Sequence, residues 1–225
     1  MASINLGARL AAAAELAREG VFVSDVGTDH AYLPIALCLE GKAKGGVVSD
    51  INEGPIQRAR ENITKYGLTD KLTAVHTAGL CGIDKYAPED IFILGMGGEL
   101  IARIIEDAPW TKSESIHLCL QPMTHPEILR NFLVSNGYEI IDERIVRDDR
   151  IYQLILAKYT GKTQVLSHEE LLLGRINIGR GGELLLELAR KNIDVLTRRA
   201  EGIESSGADA SEQRELIELI KKAIK

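Results

Sequence analysis

The chain has 225 residues, 45% hydrophobic and 27% charged, which is room for one ordinary domain plus a small appendage. A net charge of −6 removes the overall basic field of many nucleic-acid binders, although a local basic face can act inside an acidic whole. No apolar run reaches the length of a membrane span, the N-terminus lacks the order of a signal peptide, and three cysteines without a CxxC pair argue against a disulfide framework.

Leu6, Leu10, Ala13 and Ala17 recur at helical spacing, and Gly20 stops that helix. Strands are expected over 21–26, 45–50, 71–76, 90–95 and 115–121, with helices over 31–40, 54–66, 98–106 and 126–136. Gly67 closes the second of these helices, and Pro126 suits the first turn of the last. Such alternation predicts an α/β fold with a parallel sheet covered on both faces. Tyr138–Val146 and Ile151–Tyr159, separated by Arg147-Asp148-Asp149-Arg150, read instead as an antiparallel hairpin. Thr160–Leu166 is a linker, so domains are expected over 1–160 and 161–225. In the second, Ser167 and Glu170 have capping-box spacing. Two apolar stripes follow: Leu185, Ala189, Ile193, Leu196, Ala200 and Ile203, then Leu216, Leu219, Ile220 and Ala223. Joined by the polar turn Ser205–Ala210, they predict a helical hairpin or short coiled coil.

The stretch Asp25-Val26-Gly27-Thr28-Asp29-His30-Ala31-Tyr32-Leu33-Pro34 follows an apolar run and opens a helical one, and Asp50 ends the next apolar run. A nucleoside bound across strand tips uses both features. The glycine admits the ligand to the backbone, and the later carboxylate accepts bonds from ribose hydroxyls. A carboxylate at Asp25, ahead of the glycine, suits a cationic cofactor better than a pyrophosphate, so S-adenosylmethionine is expected rather than a dinucleotide. A tight turn with Asp29 as helix cap is the plainer reading of the loop, but it leaves Asp25 and Asp50 unexplained. Leu94-Gly95-Met96-Gly97-Gly98-Glu99 is a second candidate, because its glycines allow close approach to the backbone. A phosphate-binding helix start or close helix–strand packing would use the same residues. The five histidines form neither HxH nor HExxH, so no metal is expected, and only His30 abuts a site. Cys38, Cys81 and Cys119 sit in apolar contexts and read as buried thiols rather than a nucleophile.

Asp25–Pro34, Asp50 with Gly54-Pro55, Gly95–Gly98 and Leu120-Gln121-Pro122 together resemble the bacterial tRNA (adenine-22-N1)-methyltransferases, and the resemblance runs through the helical tail. It implies a Rossmann-like class I methyltransferase fold with a seven-stranded, mostly parallel sheet whose last strand is antiparallel. It also implies S-adenosyl-L-methionine as methyl donor and the D-loop region of tRNA as substrate, in the cytoplasm. Cofactor binding then falls to Asp25, Gly27, Thr28, Asp29, Asp50, Ile51, Gly79, Leu80 and Gly95, and catalysis to Asp29, His30, Gly95, Met96 and Gly97. Many class I methyltransferases carry an acidic residue where this chain has Ala78, so backbone carbonyls or Thr77 are left to meet the adenine. A small-molecule methyltransferase and a non-catalytic nucleotide-binding module remain as alternatives, and a monomer is favoured over an oligomer.

Overall fold

The computed structural model describes residues 4–225 and divides into two units, one ending at Gln164 and one running from Val165 to Lys225. The first unit runs α1 (Gly7–Glu15), β1 (Val21–Val26), α2 (Tyr32–Leu39), β2 (Ala43–Asp50), α3 (Glu53–Lys65), β3 (Leu72–His76), β4 (Asp90–Met96), α4 (Gly98–Glu106), β5 (His117–Pro122), α5 (Pro126–Ser135), β6 (Tyr138–Arg147) and β7 (Ile151–Tyr159). All seven strands join one sheet in the order β3-β2-β1-β4-β5-β7-β6, and β7 alone runs against its neighbours. The chain reverses from β1–β2–β3 outward to β4–β5 on the other side of β1. That reversal opens a crevice at the carboxyl ends of β1 and β4, the usual ligand position in such sheets.

The central strands read as near-continuous apolar runs because both faces are buried. Val21, Val23, Leu33, Ile35, Leu37, Ala59 and Ile63 form one core, under α1, α2 and α3. Ile91, Ile93, Ile101, Ile105, Leu129 and Leu133 form the other, under α4 and α5. β2 begins at Ala43, earlier than the strand expected at 45–50, and carries two glycines where β propensity is poor. Packing explains them: a Cβ on Gly46 would stand 2.7 Å from Val23 Cγ2, and one on Gly45 would stand 2.8 Å from the Lys71 carbonyl. On the hairpin side, buried Arg130 of α5 donates to Glu143 Oε1 of β6 (2.7 Å) and to Gln153 Oε1 of β7 (2.8 Å). This fastens the antiparallel strands to a helix that serves the parallel ones.

The second unit contains α6 (His168–Leu173), α7 (Arg175–Arg180), α8 (Glu183–Ser205) and α9 (Ser211–Ala223). The capping box at Ser167 and Glu170 forms as expected. α8 and α9 pack together and are clamped by an Arg214–Glu204 fork at 3.0 and 2.9 Å. Leu185, Ala189, Leu196 and Ala200 are buried as the first stripe predicts. On α9 the buried pair is Ile217 and Ile220, with Leu216 and Leu219 only half-buried, so the stripe is rotated from its expected position.

Candidate functional site

β1 ends in the glycine loop. Gly27 and Thr28 both donate their amides to the Ser49 carbonyl of β2, at 2.8 and 3.0 Å, which closes the loop against the neighbouring strand tip. Gly27 has φ +76°, a conformation that favours glycine, and the Met96 side chain lies across it. A Cβ there would stand 2.0 Å from Met96 Cε. Thr28 Oγ1 accepts the Ala31 amide at 3.0 Å and so secures the start of α2. Asp29 does not cap that helix. Its carboxylate faces away and takes Arg58 Nε at 3.1 Å and His30 Nε2 at 3.1 Å. The left-handed Ala31 (φ +58°) sets the rings of His30 and Tyr32 in parallel, with centroids 5.0 Å apart.

Asp50 closes β2. Its Oδ1 accepts the Asn52 backbone amide at 2.7 Å and the Asn52 side chain at 3.1 Å, which leaves Oδ2 unpartnered among the described residues. His76 steadies the same turn, with Nε2 2.7 Å from the Ile51 carbonyl and Nδ1 3.1 Å from Glu53. Burial pushes the Asp25 carboxyl up to about 6; the Thr28 hydroxyl and the charge of Arg9 pull it back, and Asp50 opposes them.

Two cavities meet at Gly27. One, of about 640 Å³, is lined by Asp50, Ile51, Gly79, Leu80 and Met96 together with Arg103, Ile104 and Trp110. The other, of about 250 Å³, is lined by Arg9, Asp25, Thr28, Asp29, His30 and Tyr32. A nucleoside fits the first and a short polar chain the second, so a ligand with both parts would cross the glycine. The residues present therefore fit S-adenosylmethionine. Ala78 lines the larger cavity with no acid beside it, but Asp84 lines the same wall.

The β4 tip forms a bulge. Pairing with β5 shifts register between Leu94 and Met96, and Gly95 between them has φ +80°. Around Gly95 the space is open: among the described residues only Arg9 Nη1 comes within 4.0 Å of its absent Cβ. Gly98 serves packing instead, since a Cβ there would stand 2.2 Å from the His125 carbonyl, and its amide donates to the Thr124 carbonyl at 2.8 Å. Gly97 lies between the two roles, 3.2 Å from Thr124 Oγ1 by the same measure.

Every residue expected in the site therefore lies in the two cavities or in the β4 tip loop. Sequence reasoning missed Arg9, Arg58, Arg103 and Trp110. They are scattered charges and one aromatic on otherwise ordinary segments, and only tertiary contact brings them in. Cys38 and Cys119 are buried and burial raises both thiols, Cys38 to about 11. Cys81 departs from the expectation of burial, because it is exposed on the loop after β3 and lines the larger cavity. Among the described residues no group of three or more His, Cys, Asp or Glu side chains could hold a metal ion, and no helix is long and apolar enough to cross a membrane.

The family described as "Methyltransferase domain" matches residues 6–155. The tRNA (adenine(22)-N(1))-methyltransferase of Bacillus subtilis is 35% identical over 159 residues, 70% of this chain and 67% of that protein. The crystal structure of the B. subtilis tRNA methyltransferase TrmK superposes with a TM-score of 0.89 at 29% identity, covering 99% of this chain and 100% of that one. M. capricolum TrmK, solved with S-adenosyl-homocysteine, gives a TM-score of 0.84 at 26% identity, with 100% of both chains covered. The chain belongs to the methyltransferase-domain family, among the relatives of the B. subtilis tRNA (adenine(22)-N(1))-methyltransferase.

Proposed function

We propose that the protein transfers a methyl group from S-adenosylmethionine to N1 of adenine 22 in the D-loop region of bacterial tRNA. One observation carries the reading: in a chain of this family, Gly27 joins a nucleoside-sized cavity bearing Asp50 to a smaller polar one beside the open Gly95 bulge. Bound S-adenosylmethionine supplies an electrophilic sulfonium methyl, and adenine N1 supplies a lone pair. The protein is left with positioning and electrostatics.

Asp50 Oδ2 would accept ribose hydroxyls, and Ile51, Gly79 and Leu80, which line the same cavity, would hold the adenine. Asp84 offers an acceptor to the adenine amino group in place of the acid missing at position 78. Methylation at N1 makes the base cationic until a proton leaves. In this reading Asp29, with His30 beside it, would accept a bond from the base amino group and oppose that charge. The Gly95–Gly97 backbone would meet the base edge, and Tyr32, 37% exposed and stacked on His30, would offer it a flat surface. N1 lies on the Watson–Crick edge, so the nucleotide must leave any pairing before reaction.

The test is incubation of the protein with labelled S-adenosylmethionine and total bacterial tRNA, followed by nucleoside analysis. Label in 1-methyladenosine, with a reverse-transcription stop at position 22, is the expected result. Label in another nucleoside, or none in RNA, would refute the assignment.

A further inference from the structure

The turn joining β6 to β7 reaches the strand tips that frame the site. Asp148 Oδ2 accepts the Arg9 backbone amide of α1 at 3.1 Å, and Arg150 Nη2 lies 3.9 Å from the sulfur of Met123, the residue after β5. Met123 is tied to the site in turn. Its amide donates to the Met96 carbonyl at 2.7 Å, and its sulfur takes the Gln121 side-chain amide at 3.3 Å. One residue, Met123, thus links Arg150 to the Gly95–Gly97 loop.

Arg150 is exposed, yet its side chain is held. Nε donates to the Tyr152 hydroxyl at 3.1 Å, that hydroxyl donates to Asp149 Oδ1 at 2.6 Å, and the guanidinium lies over the Tyr152 ring, 5.2 Å from the centroid. Tyr152 is itself buried, so the platform is fixed. The Arg9 guanidinium lies over the same ring at 5.6 Å, so two cations share one aromatic. Among the described residues Arg150 forms no ion pair, and neither of its Nη groups donates to an oxygen. The Nη edge, which takes an oxyanion bidentately, is therefore unused.

We propose that Arg150 binds a backbone phosphate of the tRNA strand that carries the reacting adenosine. The proposal rests on the tRNA-methyltransferase reading and deepens it by giving the first unit its own grip on the RNA backbone. A base that leaves its pairing to reach the Gly95–Gly97 loop brings its flanking phosphates with it. Residues 1–164 carry 17 Lys and Arg against 22 Asp and Glu, so the first unit repels RNA overall and must meet a phosphate with a placed cation. A guanidinium already fixed at Nε and on a ring loses little freedom when the phosphate arrives. The anion also relieves two cations of sharing one ring.

The test uses the full chain and bulk bacterial tRNA, with tRNA binding measured across salt concentrations beside methylation kinetics and calorimetry with S-adenosylhomocysteine. Arg150→Ala should weaken tRNA binding by about 10-fold, the scale of one charge-assisted contact, and flatten its log–log salt slope by about 0.7–0.9. KM for tRNA should rise by more than kcat falls, and S-adenosylhomocysteine affinity should stay within about 2-fold. Arg150→Lys keeps the charge without the fork, so it should restore the slope with intermediate affinity. Arg150→Gln replaces the alanine variant if a thermal melt shows that one unfolded. If wild type methylates tRNA but the variant keeps the wild-type salt slope, or loses tRNA and S-adenosylhomocysteine affinity equally, Arg150 is part of the turn's structure and the proposal alone is overturned. Wild-type protein that does not methylate tRNA would overturn the methyltransferase reading, and the proposal with it.

Discussion

The Asp29 carboxylate is held by the Arg58 guanidinium of α3, with Nε 3.1 Å from Oδ1 and Nη2 bonded to the same oxygen. The pair is solvent-exposed, so its own contribution to stability is small, and Asp29 is kept in place at little cost to the fold. Asp29→Ala should therefore leave the melting temperature and the cofactor affinity nearly unchanged while lowering kcat on saturating tRNA by about 100-fold, the usual loss for one electrostatic group at a reacting centre. Steady-state kinetics with a parallel cofactor titration separates the two effects. A kcat near wild type would leave Asp29 as no more than a surface ion-pair partner.

Asp50→Ala should act on binding instead. The ribose bonds it would lose are charge-assisted and worth about 1.5–3 kcal/mol. Some loss will come through Asn52, whose amide and side chain both rely on Asp50 Oδ1. Asn52→Ala is the control, and calorimetry with S-adenosylhomocysteine should show the larger deficit in Asp50→Ala.

Tyr32→Ala should raise KM for tRNA and spare cofactor affinity. Base–aromatic stacking contributes about 1–3 kcal/mol per base by alanine substitution. Tyr32→Phe keeps the ring and should behave as wild type. If phenylalanine fails as alanine does, the hydroxyl rather than the face is what the substrate uses.

Asp25 gives the stability of the ligand-free protein a pH dependence of defined sign. Its folded pKa is about 6 against an ordinary 3.8, so between those values the folded state binds the extra proton. That contribution falls as pH rises through the window and is at its least favourable above about 6. Asp25→Asn should accordingly raise the melting temperature more at about pH 7.5 than at about pH 4. The same variant should bind S-adenosylhomocysteine more weakly. A melting-temperature gain that is equal at both pH values would remove the buried charge as its cause.

Much of this was legible in the sequence, and what was legible shares a cause. Ile91, Phe92 and Ile93 announce a strand because both faces of a parallel sheet are buried, and Asp50 stands out because it ends such a run. Arg9 and Arg58 gave no such signal. Each sits on a helix as any solvated charge would, and only tertiary contact, Arg9 with the smaller cavity and Arg58 with Asp29, makes them part of a site. The Gly95–Gly98 cluster was read as one feature. It divides into an open bulge at Gly95 and a packing position at Gly98, a distinction set by the His125 carbonyl, which is remote in sequence. Ile217 replaced Leu216 in the core because a single apolar stripe on a short helix fixes its rotation only coarsely.

The helical tail should aid RNA binding. On α8, Arg190, Lys191, Arg198 and Arg199 are exposed, and Lys191 and Arg198 lie opposite the buried face of Leu185, Ala189, Leu196 and Ala200. Residues 165–225 carry ten Lys and Arg against eleven Asp and Glu, so they are almost neutral within a chain of net charge −6. Truncation belongs after Gln164, because Thr160 and Gly161 donate to the Gly137 carbonyl at 2.9 and 3.0 Å and Gln164 donates to that of Val134 at 3.0 Å. The shortened protein, once a cooperative melt shows it folded, should bind tRNA more weakly and with a flatter salt dependence. Each phosphate that the tail no longer neutralises should flatten the log–log slope by about 0.7–0.9. Full tRNA methylation across salt concentrations would reduce the tail to a structural element.

The position of β7 between β5 and β6 also orders events on the ribosome. β6 leaves the exit tunnel first but has no edge to join, because among the described residues its only partner in the sheet is the strand that follows it. Until residue 159 has emerged, β5 is a bare edge beside an unplaced strand, and a nascent chain stalled there presents an open template for pairing with other chains. The hairpin must dock as a unit, after which both strands are placed at once and the edge of β5 is sealed.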